Sequence, residues 1–113
     1  EAGIDQARVE FRQAQLQLAQ LRENVQLQYE QAAGERRRAA SAIAARQQTV
    51  TQAQRVYDLT VLRYDRGLAT QLEVSDARLA LLQARTNLAQ ALTDFYIADA
   101  TVRRALGQSE VVE

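Results

Sequence analysis

Arg63-Tyr64-Asp65-Arg66-Gly67-Leu68-Ala69-Thr70-Gln71-Leu72-Glu73-Val74 decides the fold, because it holds the one sharp stop in an otherwise continuous helical pattern. Gly67 suits the left-handed position just past a helix end, where a Cβ would clash. Leu68 is placed to fold back on Leu62, the apolar contact of a Schellman-type ending. Thr70 offers a hydroxyl to the free amides of a new helix, and Glu73, three residues on, returns the bond as the acid of a capping box. The stretch therefore predicts one helix ending at Arg66, a tip over 67–70 and a second helix starting at Gln71. So short a connection makes the two antiparallel, and the tip becomes the place to look for function.

Downstream of the tip, Val74, Leu81, Leu88, Phe95 and Val102 recur every seven residues, and Ala77, Ala84, Ala91, Ala98 and Ala105 do the same between them. This large–small heptad seam is a coiled-coil signature, with alanines that let two backbones approach closely. Gly107 predicts the end of this helix, with Arg103 and Arg104 in its last turn facing the negative end of the dipole. The helix is thus expected over 71–106, about 36 residues and roughly 50 Å long, followed by a tail over 107–113. Upstream, Ile4, Ala7, Phe11, Ala14, Leu18, Leu21 and Val25 keep three–four spacing. The pattern slips through Tyr29 and Ala32 near Gly34, then resumes as Ala39, Ile43, Val50, Ala53, Tyr57 and Tyr64. The slip is a stutter that locally unwinds a supercoil. The first helix is expected over 5–66, about 60 residues and roughly 90 Å.

The fold class expected is therefore all-α, a single long antiparallel helical hairpin. Folding the chain about its tip sets Ala84 near Ala53, Leu88 near Val50, Phe95 near Ile43, Ala98 near Ala39 and Ala105 near Ala32. Small residues then meet small ones and large meet large. A further stripe on the second helix, Leu72, Leu79, Leu82, Ala89 and Tyr96, lies off this seam, so the helix has two apolar faces and wants two neighbours. The first helix overshoots the second by roughly 25 residues at 1.5 Å each, leaving Ile4, Phe11, Leu18 and Val25 without an intrachain partner. Covering such surface is worth about 25 cal/mol per Å², so the chain is expected to work within an assembly. By itself it is expected to pair with copies of itself, as an antiparallel dimer or higher oligomer driven by Phe11, Leu18 and Val25.

Composition narrows the function classes. The chain has no Pro, Cys, His, Met or Trp, and every basic residue is arginine. The usual zinc and thiolate ligands and most nucleophile–base pairs are therefore missing, and no metal, cofactor or catalytic residue is assigned. Fourteen arginines balance fourteen acids, against the basic excess of nucleic-acid binders. No apolar run approaches the ~20 residues of a membrane-spanning helix. With no initiating Met and no signal-like start, the chain reads as an excised piece of a longer protein. Glu73 and Asp76 are the one pair of carboxylates spaced for acid–base work. They sit on a helix start for which the sequence supplies no pocket, so an enzyme is not expected. The run Glu35-Arg36-Arg37-Arg38 reads as a solvated face.

The turn Arg63-Tyr64-x-x-Gly67-Leu68-x-Thr70-x-Leu72-Glu73-Val74-x-Asp76-Ala77 resembles the signature at the periplasmic hairpin end of the TolC family of outer-membrane channel proteins. Arg78-Leu79, Leu82-x-Ala84, Leu88 and the closing Arg104-Ala105-Leu106-Gly107 fit the helix that follows, most closely in the second of the family's two internal repeats. The resemblance implies a periplasmic segment of a trimeric α-helical barrel topped by an outer-membrane β-barrel, an exit duct for efflux or one-step protein secretion. The membrane strands are absent from this chain, so contact with the membrane is implied for the parent only. It further implies that Gly67, Leu68, Ala69 and Thr70 dock a periplasmic adaptor protein, and that Tyr64, Glu73 and Asp76 line the entrance. Ala69 stands where some members carry an arginine that helps hold the entrance shut, which leaves Arg63 or Arg66 for that task. Adaptor and scaffold proteins also use coiled-coil hairpins. Their tips carry Arg, Leu and Ser at wide spacing, an arrangement this turn lacks.

Overall fold

The computed structural model describes residues 1–112, and their side chains through Gly107. Two helices, α1 (Ala2–Asp65) and α2 (Gln71–Val112), form one antiparallel hairpin. The molecule is 98 Å long and 19 by 13 Å across. A straight 64-residue helix would be about 96 Å long, so α1 continues without a break or sharp kink through the stutter and through Gly34.

The large–small seam of α2 is the core. Ala77, Leu81, Ala84, Ala91, Val102 and Ala105 are buried, and Val74, Leu88, Phe95 and Ala98 are half-buried between them. On α1 the facing stripe is Val25, Tyr29, Ala32, Ala39, Ile43, Val50, Ala53 and Tyr57, all buried or half-buried. Two polar links fix the register between the helices. Arg85 Nη2 donates to Gln54 Oε1 at 2.9 Å, and Arg36 Nη1 meets Asp99 Oδ1 at 3.1 Å. Both links lie within two residues of the register that pairs Ala84 with Ala53 and Ala98 with Ala39. Asp99 also takes Arg103 Nη2 at 3.0 Å, and its side chain is only 19 % exposed. An arginine can therefore occupy the α1 seam at Arg36, because its charge is matched across the hairpin.

Three expectations need correction. Near the tip the α1 seam is closed by Thr60, buried, and Val61, half-buried, while Tyr64 is 44 % exposed. Thr60 tolerates burial because its Oγ1 donates to the Val56 carbonyl at 2.6 Å. Second, α2 does not stop at Leu106: the predicted tail over 107–112 is helical, and Glu113 lies outside the described residues. Gly67 is the one glycine at positive φ among the described residues, so Gly107 is not a left-handed cap. A glycine inside a helix costs about 1 kcal/mol relative to alanine, a penalty and not a stop. Arg103 and Arg104 consequently lie inside the helix, and Arg103 serves the Asp99 link instead of the dipole. Third, α1 begins at Ala2 and ends at Asp65, a few residues from the expected limits.

Candidate functional site

The tip is locked by main-chain chemistry on both sides. The Leu68 amide donates to the Arg63 carbonyl at 2.7 Å and the Gly67 amide donates to the Tyr64 carbonyl at 3.0 Å. These are the two bonds of a Schellman motif. Gly67 holds φ +74°, and a Cβ there would meet nothing within 4 Å. Its requirement is thus conformational and owes nothing to crowding. On the α2 side the Glu73 amide donates to Thr70 Oγ1 at 3.1 Å, and the Thr70 amide donates to Glu73 Oε2 at 2.9 Å, a closed capping box. Thr70→Ala is expected to cost the hairpin about 1 kcal/mol, read as a shift in urea midpoint with unchanged slope. No shift would mean the box is redundant with the seam.

Arg63 is part of the turn itself. Its carbonyl accepts from the Leu68 amide, and its Nη2 donates to the Leu68 carbonyl at 3.1 Å. One residue therefore grips both main-chain ends of Leu68. The side chain of Leu68 is 67 % exposed, so most of it stands open to solvent on a fixed backbone. Ala69 is half-buried. Leu72, 70 % exposed, stands in the first turn of α2. The sequence places Leu72 in the second stripe of α2 and in the turn signature, but not among the docking residues. The signal that it also belongs to the tip is its place two residues past Thr70, in the first turn of α2.

Of the predicted entrance residues, the structure brings Arg63 to Leu68 and Glu73 to Thr70. The side chains of Tyr64 and Asp76 join none of these hydrogen bonds among the described residues and are exposed. Farther along, Arg78 lies over the Tyr57 ring at 6.0 Å, a cation–π contact that ties the first turns of α2 to α1. Among the described residues no group of His, Cys, Asp and Glu side chains could hold a metal ion, and no helix is long and apolar enough to cross a membrane.

Comparison with known proteins gives one family match: residues 1–108 match the family described as Outer membrane efflux protein. No curated protein and no solved structure matches the chain.

Proposed function

The chain belongs to the outer membrane efflux protein family, and from that premise we propose that it forms part of the periplasmic wall of a trimeric duct for efflux or protein secretion, with its tip docking a periplasmic adaptor protein. The observation that carries the docking is Leu68, an exposed leucine whose backbone is clamped from both ends by Arg63. An apolar side chain held rigidly at the far end of a 98 Å rod loses little conformational freedom on binding, which is what makes an anchor effective. Gly67, Ala69 and Thr70 keep the rest of the tip low around it.

The wall role rests on α2. One of its faces is the buried seam, and the opposite one carries Leu72, Leu79, Leu82 and Tyr96 at 60–70 % exposure. A helix with apolar stripes on opposite sides is suited to a curved wall in which each helix touches a neighbour on either hand. In the duct, Glu73 and Asp76 would face the passage near Tyr64, as three copies of an acidic rim. Glu73 can do this while capping, since its bond to Thr70 uses one carboxylate oxygen. Arg63 is committed to the turn, which leaves Arg66 for holding a closed state.

The test uses single cysteines in the full-length parent. Leu68→Cys is expected to crosslink in cells to a co-expressed periplasmic adaptor, while Gln83→Cys on the mid-helix surface is not. A stable protein that crosslinks at neither position would reduce the hairpin to wall structure and remove the docking role.

A further inference from the structure

The tip is held by two motifs that do not meet. The Schellman bonds tie the amides of Gly67 and Leu68 to α1, and the capping box ties the amide of Thr70 to Glu73 in α2. The Leu68–Ala69 peptide between them belongs to neither motif. Its carbonyl is held by the Arg63 guanidinium, whose Nη2 donates at 3.1 Å. A peptide group is planar, so holding its oxygen restrains the Leu68 Cα–C and Ala69 N–Cα rotations together. Those rotations set the direction in which the chain leaves α1 for α2, and with it how the Leu68 side chain stands to both helices.

We propose that Arg63 is a positioning residue for docking: its guanidinium decides where Leu68 points, while the hairpin folds without it. The role rests on the docking by Leu68 proposed above, and names the contact that turns this leucine into a fixed anchor. Stability is a separate matter. Arg63 is exposed, and an exposed hydrogen bond that water can replace contributes little to folding. The helix end and the helix start on either side keep their own bonds when the guanidinium is gone. The packed seam closes at Thr60 and Val61, short of Arg63. Binding is where the loss is felt, because a leucine already ordered gives up less freedom when it docks. The residue type fits the task as well. Side chains on a helix lean toward its N-terminus, so reaching forward over the last turn to the Leu68 carbonyl takes a long one. Lysine has a shorter stem and a point charge, and restores the bond only in part.

The chain has no native cysteine, so Leu68→Cys in a full-length protein otherwise free of cysteine can carry either a crosslinker or a nitroxide spin label. Arg63→Ala is expected to lower the adaptor crosslink at position 68 about threefold or more. It should also sharpen the spectrum of the label, the sign of faster motion, and leave the urea midpoint of the hairpin unchanged. Arg63→Lys is expected to recover part of both signals. Arg55→Ala, which removes an exposed charge farther back along α1, is expected to change neither. An unchanged spectrum in Arg63→Ala, a crosslink that falls only as far as the midpoint does, or an equal fall in Arg55→Ala would each overturn the role. Failure of the docking itself looks different. Position 68 would then not crosslink even with Arg63 in place, and this role would fall with it, although the label would still respond to Arg63→Ala.

Discussion

Val102→Asp is expected to strip amide-exchange protection from the upper part of α2, around 98–107, while the tip stays folded. Val102 is the one large side chain with no exposed surface among the described residues, 0 % accessible and set between Ala98 and Ala105. A carboxylate there would be buried while Arg36, the cation in that part of the seam, is already paired to Asp99, at a cost of about 3–5 kcal/mol. That is a large share of the 5–15 kcal/mol typical of a folded domain. The loss stays regional because an elongated hairpin is stabilised along its length, each heptad resting on the one facing it. At the tip the Schellman bonds and the capping box are local and would persist. Val102→Ala, which removes two methyl groups, should lose roughly 2 kcal/mol. Uniform loss of protection from tip to base in Val102→Asp would show a single cooperative unit, and an unchanged exchange pattern would show that Val102 is not a packing centre.

Gly67→Val should be the most damaging single change at the tip. At φ +74° an L-residue costs about 1–2 kcal/mol, and a β-branched one is a genuine outlier there. The space around Gly67 is open, so the penalty comes from the backbone alone and should follow left-handed preference and not volume. Gly67→Asn is therefore expected to be milder than Gly67→Ala, although it is larger, and Gly67→Val the worst of the three. Urea unfolding of the series checks the order. An order following side-chain size would mean that crowding governs the tip. In the full-length protein the same series should weaken adaptor crosslinking at Leu68 in step with stability, since Leu68 is presented by that turn.

Some of this was open to reading because the physics is local. A left-handed glycine followed three residues on by Thr-x-x-Glu names a helix end and a helix start from residues within one turn of each other. Heptads are local too: Val74, Leu81 and Ala84 announce a buried face whatever covers it. Other features depend on what stands across the hairpin. Tyr64 continues the α1 period, yet Thr60 and Val61 close the seam and Tyr64 stays exposed. Arg63 looks like a free cation near the tip, yet it grips the Leu68 carbonyl, a contact that exists only once the chain has turned. Arg36 sits in a run that reads as solvated, and half of its role comes from Asp99, 63 positions away.

The sequence by itself determined the number of helices, their antiparallel sense, the place and chemistry of the turn, and the face each helix buries. All of these follow from propensity, capping and periodicity over spans of seven residues or fewer. Tertiary structure decided how far α2 continues past Gly107, which α1 residue closes the seam at the tip, and how Asp99 joins Arg36 to Arg103. Those outcomes turn on which side chains meet across two helices, and a small backbone penalty such as that of Gly107 can be overruled by packing that no local window contains.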